Sequence, residues 1–345
     1  MIRRIFLYAL AALVIAALWG CQGNAFPDGG ASEPEQETGA QEPGTGESGT
    51  GEPGAWMKRL DGNTLLTRVS IPGAHDAATS TASSLGKTQA LTVAELWDAG
   101  VRAFDLRPAY VDEVLMIKHG IISTGNKFTD MMGILLSKLD ANPADFAIVI
   151  MRHESEGDSG PTGWGPAMSD YLATIASRIV PYRGDLTVDE LRGRLLVLSR
   201  DDYKNGPIGG YVRNIIDKTA DLAEQQSAFI NGPLYKKQPM WCQDYYAPSC
   251  KSDKWAEIKD MFDATVAASQ PYPFVMNNTS GYTGSLIPNY VKNAANVNGD
   301  AAEYIATLSG PTGIVMMDFA GVDQYSGSNV NGAKLVNAII AHNRP

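Results

Sequence analysis

From about residue 68 onward the chain is organised by short apolar runs, each of which stops at a polar or charged residue. Eight are visible: 68–75 (RVSIPGAH), 101–107 (VRAFDLR), 115–119 (LMIKH), 146–154 (FAIVIMRHE), 195–200 (LLVLSR), 240–244 (MWCQD), 274–278 (FVMNN) and 314–319 (IVMMDF). Such runs, bounded by turn residues, predict buried strands. Between them, apolar residues at helical spacing predict helices over 92–99, 128–139, 166–179, 187–192 and 255–268, with a closing helix over 333–342. Strands alternating with helices over roughly 250 residues predict an α/β fold, a (β/α)8 TIM barrel in a single catalytic domain, although an open α/β sheet uses similar parts. The connection between the second and third runs, 108–114, is short for a helix, so the barrel is expected to be distorted.

The polar residues at the run ends sharpen this picture. They are His75, Asp105 with Arg107, His119, Arg152 with Glu154, Arg200, Asp244, Asn277 with Asn278, and Asp318. A barrel gathers its reactive groups where the strands end and the loops begin. Strand alternation also puts Asp105 and Arg107 on one side, and Arg152 and Glu154 on one side. One polar or charged strand end is ordinarily a solvated one; eight in succession mark a site.

The chain has four histidines: His75, His119, His153 and His342. His342 lies near the end and is expected to be exposed, and His153 alternates with Arg152 and Glu154 and is expected to serve structure. His75 and His119 remain as candidates for proton transfer near neutral pH. A hydrolytic zinc site would want a third ligand and closer histidine spacing, and the charge of Arg107 disfavours a neighbouring cation. There is no Gly-x-Ser-x-Gly elbow for a serine nucleophile. Two imidazoles and a guanidinium suit phosphodiester transfer: a base for an attacking hydroxyl, an acid for the leaving oxygen, and a cation for the phosphoryl oxygens.

The N-terminal region differs from the rest. Residues 1–20 combine Arg3 and Arg4, an apolar stretch and a small residue before Cys21, which reads as a secretion signal too short to span a bilayer comfortably. The residues before Cys21 resemble a bacterial lipobox, with Trp19 bulkier than usual, and imply lipidation of Cys21 and a surface or outer-membrane lipoprotein. Residues 21–55 carry seven carboxylates and no Lys or Arg, amid Gly, Pro, Ser and Thr, and are expected to be a disordered tether. Removing those seven charges and the two signal arginines from the formal −10 leaves about −5 on 56–345, too little positive charge to favour a nucleic acid. In an exported protein, Cys242 and Cys250 are expected to form a local disulfide.

The segments SIPGAHDAAT, VRAFDLR, MIKHG and IVIMRHE, in this order and spacing, resemble the bacterial phosphatidylinositol-specific phospholipase C family, the phospholipase C X-domain. LLVLSR, CQDYY and VMMDF resemble its later strands, so the likeness spans nearly all of 56–345 and is tightest up to Arg200. It implies cleavage of phosphatidylinositol, or of its glycosylated form, to diacylglycerol and inositol 1,2-cyclic phosphate. Position by position, it implies His75 as general base oriented by Asp318, and His119 as general acid supported by Asp76. Arg107 would contact the phosphate, and Asp105 would fix the site. Arg152, Glu154, Arg200, Asp244 and Tyr246 would hold the inositol ring, Arg152 replacing a more usual lysine. Calcium-dependent relatives have a carboxylate where Arg107 stands, so the resemblance implies that no cofactor or calcium is needed. The expected partner is a membrane phospholipid, met by a monomer. A phosphodiesterase on another polyol or glycerol lipid, and a catalytically silent headgroup-binding lipoprotein, are the readings that compete with it.

Overall fold

The computed structural model describes residues 53–155, 157–283 and 287–343. The signal segment 1–20, Cys21 with its expected lipid, and the tether as far as residue 52 lie outside the described residues. Gly54, assigned to the tether, already accepts a hydrogen bond from Arg102 Nη2 at 2.6 Å, so order begins before Trp56.

The chain opens with β1 (Ile71–Ala74), α1 (Val93–Asp98) and β2 (Ala103–Leu106), then three hairpin strands, β3 (Pro108–Val111), β4 (Val114–His119) and β5 (Ile122–Lys127). It continues through α2 (Phe128–Ala141), β6 (Ala147–Met151), α3 (Trp164–Thr174), α4 (Val188–Leu191), β7 (Leu195–Ser199), β8 (Gly210–Arg213), α5 (Leu222–Gln225) and β9 (Phe229–Asn231). The remainder is β10 (Gln238–Gln243), α6 (Lys251–Ala267), β11 (Phe274–Asn278), α7 (Tyr290–Ile305), β12 (Ile314–Met317), the short pair β13 (Gln324–Tyr325) and β14 (Ser328–Asn329), and α8 (Gly332–Ala341).

A closed barrel forms in the order β1-β12-β11-β10-β9-β8-β7-β6-β2, with β1 and β2 paired in parallel to complete it. The fold is a distorted TIM barrel, as the alternation predicts. Its distortion takes two forms. First, β4 is not a barrel strand: it lies between β3 and β5 in a separate antiparallel sheet. Pro108 follows Arg107 directly, and Lys118 N–H donates to the Arg107 carbonyl, so this sheet grows from the outer end of β2. Second, the β7-to-β10 interval supplies β8 and β9, which run antiparallel to one another. Neither was legible as an apolar run, because each is only three or four residues long and β8 starts with glycine. Just before it, Gly209 passes so close to β7 that a β-carbon there would sit 2.0 Å from the Val197 carbonyl oxygen.

The interior strands are largely apolar; every residue of β6 and β7 is buried, as expected when one face meets the barrel interior and the other the helices. Gly73 in β1 is required by packing, since a β-carbon would lie 2.3 Å from Met316 Sδ on the neighbouring strand. Helix α1 starts at Thr92, where a reciprocal capping box with Glu95 satisfies two backbone donors. Helix α7 was missed because its buried face includes Asn293 and Asn298. Asn298 donates to the carbonyls of Asp318 and Val330, so part of this face is polar by design and breaks the apolar stripe.

The expected Cys242–Cys250 disulfide is not formed; both thiols are free. Alternation explains this. Cys242 is two residues before Asp244, on the same side of β10, and is fully buried, whereas Cys250 is the N-cap of α6 beyond the strand and contacts Ser252 Oγ at 2.9 Å. No described helix is long and apolar enough to cross a membrane.

Candidate active site

Strand β1 ends at Ala74, and the next two residues are delivered to the mouth of the barrel. His75 Nδ1 lies 2.8 Å from Asp318 Oδ1, and Asp318 follows β12, the strand beside β1. Asp318 is fully buried, and its other oxygen accepts from Gly281 N–H at 3.1 Å. An ionised carboxylate here fixes the proton of the neutral ring on Nδ1 and leaves a lone pair on Nε2. Asp76 and Phe319, just beyond this pair, both have positive φ (45° and 54°), a local backbone cost that turns each loop sharply away from its strand. Gln89 braces the turn by donating from Nε2 to the carbonyls of His75 and Met317.

Arg107, at the end of β2, is the hub. Its Nη2 is 2.8 Å from His75 Nε2 and 2.9 Å from Asp105 Oδ2, and its Nε is 2.8 Å from Asp76 Oδ1. Glu154 is farther, with Oε1 4.0 Å from Nη1. The carboxyl of Asp105 is driven up by burial but more strongly down by Arg107 and His75, to about 2. Asp76 moves the other way: burial raises it, against the pull of Arg107 and the two histidines. For His75, burial favours the neutral ring, but Asp76 and Asp318 together overcome it and lift the pKa to about 9. Arg107 can donate to Nε2 only while that ring is neutral, so the arginine and the carboxylates pull His75 toward opposite protonation states.

His119 reaches the mouth from β4, outside the barrel. Its Nδ1 donates to the Gly86 carbonyl at 2.9 Å, which turns Nε2 inward. That atom is 3.5 Å from Asp76 Oδ2, and His75 Nε2 is 3.4 Å from the same oxygen, so the two ring nitrogens are at most about 7 Å apart. The space suits one tetrahedral phosphorus with its oxygens.

The predicted ring-binding residues surround the same mouth. Arg200 bridges Asp244 (3.1 Å) and Asp217 (2.8 Å). Burial works against the charge on both Arg200 and Asp244, but their mutual attraction prevails, raising the arginine and lowering the carboxyl. Glu154 accepts from Gly120 N–H at 2.7 Å and thereby ties the β4–β5 turn to the β6 loop. The Tyr246 ring lies 6.1 Å from Tyr282, which in turn neighbours Tyr290 at 6.3 Å, and Tyr290 neighbours His119 at 5.5 Å. One aromatic wall therefore runs from the predicted ring pocket to the predicted acid.

Tyr290, Asp217 and Gln89 were not foreseen. Tyr290 Oη sits 3.4 Å from His119 Nε2, but it opens a helix whose polar face concealed it. Asp217 lies on a loop where nothing in the local pattern marks it. The remaining histidines have structural partners: His153 bonds Asp158 at 2.7 Å and stacks on Trp164, in keeping with its expected role. His342 is half-buried and bonded to the Gly310 carbonyl rather than exposed.

His75, Asp76 and Asp105 each place a ligand atom within 4.8 Å of the others, a set that can hold a metal ion. The Arg107 guanidinium already supplies the positive charge between these carboxylates, and a second cation there would meet it at contact distance.

The fold is that of the bacterial phosphatidylinositol-specific phospholipases C. No family model matches the chain. It is similar to a 1-phosphatidylinositol phosphodiesterase of Staphylococcus aureus, 25% identical over 280 residues, 77% of this chain and 88% of the relative. It is also similar to one of Listeria monocytogenes, 24% identical over 283 residues, 76% of this chain and 80% of the relative. Solved structures of phosphatidylinositol-specific phospholipase C share the fold. A Staphylococcus aureus structure gives a TM-score of 0.70 at 20% identity, covering 83% of this chain and 97% of that one. The Listeria monocytogenes enzyme gives 0.66 at 20% identity, covering 85% and 100%.

Proposed function

We propose that this chain is a phosphatidylinositol diacylglycerol-lyase that works without a metal. The observation that carries the proposal is the convergence of His75 Nε2, His119 Nε2 and the Arg107 guanidinium around Asp76. The two similar phosphodiesterases support the choice of substrate.

When a substrate phosphate enters, it draws the Arg107 guanidinium to its own oxygens and uncovers the lone pair on His75 Nε2. That nitrogen removes the proton of the inositol 2-hydroxyl, and the resulting imidazolium is stabilised by Asp318. The 2-oxygen bonds to phosphorus while the bond from phosphorus to the glycerol oxygen breaks. His119 Nε2 gives its proton to the departing diacylglycerol oxygen, within reach of Asp76 and Tyr290. Arg107 follows the charge on the non-bridging oxygens, and Asp105 keeps it in place. Each proton transfer is worth about 10²- to 10⁴-fold in rate. Arg152, Glu154, Arg200 and Asp244 bind ring hydroxyls, with Tyr246 against the face of the ring.

The protein is exported, and attachment through lipidated Cys21 would place the barrel at the end of a flexible acidic tether, where it meets membrane substrate at raised local concentration. Phosphorus NMR of the products formed from phosphatidylinositol is the direct test. A five-membered cyclic phosphate signal is expected from the wild type and is expected to vanish in His75→Ala and His119→Ala. A different headgroup product, or binding without turnover, would overturn the assignment.

A further inference from the structure

The opening turn of α6 carries a lysine that the proposed reaction does not use. Lys254 is fully buried, and its ammonium forms no ion pair among the described residues. A buried charge without a counter-ion is expensive, and burial pulls its pKa down to about 8 against the more distant carboxylates of Asp244, Asp318 and Glu257. An apolar side chain of the same length would fill the space without that cost. Both contacts of the ammonium go to the segment at the end of β10: Nζ donates to the Tyr245 carbonyl at 2.9 Å and lies 3.5 Å from Gln243 Oε1. Gln243 Oε1 also accepts from Tyr245 N–H at 2.7 Å. The other end of that amide is anchored on β11, where Gln243 Nε2 donates to Asn277 Oδ1 and to the Asn278 carbonyl, each at 2.9 Å. The peptide units on either side of Tyr245 are thereby both pinned, one through its N–H and one through its carbonyl. They join Tyr245 to Asp244 and to Tyr246, so they set the direction in which both of those side chains leave the backbone.

We propose that Lys254 is a positioning residue of the ring site, clamping the turn after β10 so that the Asp244 carboxylate and the Tyr246 ring face the inositol. The inference rests on the proposed function for the identity of the ring, and on the hydrogen bonds alone for the clamp. The charge of the ammonium contributes as well: burial raises the Asp244 carboxyl, but Arg200, His75 and Lys254 together hold it below the ordinary carboxylate range. Lys254 touches none of the reacting atoms, so its effect belongs to ring affinity and not to the chemical step.

Lys254→Met keeps the length of the side chain and removes the charge and both contacts. Relief of a desolvated ammonium offsets the loss of the donor to the Tyr245 carbonyl, so the melting temperature should stay within about 4 °C of wild type. On a water-soluble nitrophenyl inositol phosphate, KM should rise about tenfold with kcat within about threefold. Combined with Asp244→Asn, it should cost less than the product of the two single effects, because both act on one contact with the ring. A fall in kcat with KM unchanged, or a fully multiplicative double variant, would overturn the proposal. Amide hydrogen exchange reads the clamp without substrate: it should quicken over residues 243–247 of Lys254→Met and not in β1 or β12. Unchanged exchange there would remove the clamp whatever the kinetics. Quickened exchange in a protein that cleaves no inositol phosphodiester would keep the clamp and remove the proposed function. Lys254→Gln, which keeps a donor without the charge, takes the place of the methionine variant if that one does not fold, with the same direction expected. Collapse of both would make Lys254 a residue of stability alone and overturn the proposal.

Discussion

Replacing Asp318 by asparagine tests the orientation of the base more sharply than deleting the histidine does. Both carboxylate oxygens are in use, one on His75 Nδ1 at 2.8 Å and one accepting from Gly281 N–H at 3.1 Å, and the side chain is fully buried. An asparagine amide has one oxygen and one NH2. With its oxygen toward His75, the NH2 opposes the Gly281 N–H, donor against donor. With its oxygen toward Gly281, the NH2 faces Nδ1 and forces the ring proton onto Nε2, the atom that must act as base. The first keeps the productive tautomer only against the opposed donors and the second loses it, so the expected loss in kcat is about 10²- to 10⁴-fold with little change in KM.

The pH profile should move in a separate direction. Asp318 stabilises the imidazolium through a charge-assisted hydrogen bond worth about 1.5–3 kcal/mol, equivalent to about one to two pH units. With His75 raised to about 9 in the free enzyme and the neutral ring required, kcat/KM should climb with pH toward that value. In Asp318→Asn the midpoint should fall by about one to two units while the plateau drops. Initial rates of cyclic phosphate release between pH 5 and 10, with circular dichroism to confirm folding, make the measurement. A variant within about threefold of wild type, with its acid limb unmoved, would refute the argument.

Four further expectations follow from the same geometry. His119→Ala should cost about 10²- to 10⁴-fold on phosphatidylinositol but far less on a nitrophenyl inositol phosphate, whose leaving group needs no proton; equal losses on both would remove His119 as the acid. Activity should survive excess chelator, because Arg107 occupies the cation position; loss restored by calcium would reject this. Asp145→Ala should destabilise the fold by about 3–5 kcal/mol in a denaturant titration, since Arg102 and Asp145 form a fully buried pair at 2.7 Å and the arginine would be left uncompensated. A change below about 1 kcal/mol would show that the backbone carbonyls around Arg102 suffice. Under native conditions a thiol reagent should modify Cys250 and spare the buried Cys242, and a reductant should leave activity unchanged; a reductant-sensitive enzyme would restore the disulfide.

Much of the site was readable because strand ends announce themselves. Apolar runs closing on His75, Arg107, Arg200 and Asp318 put these residues on one barrel face by periodicity alone, and alternation also set His153 apart. The same reading failed where a strand is short or a buried face is polar, as in β8, β9 and α7. It failed for Cys242 and Cys250 because closeness along the chain does not bring together a thiol buried in β10 and one at the N-cap of α6.

The sequence by itself determined the α/β class, the charged strand ends and the two histidines, since hydrophobic periodicity reports which face of each element is buried. Tertiary structure alone decided that β4 leaves the barrel and carries His119 in from outside, that Asp217 and Tyr290 join the mouth, and that Arg107 caps the lone pair of His75. Those outcomes depend on which strands pair and on distances of a few ångströms between loops far apart in the chain, and no local pattern encodes either.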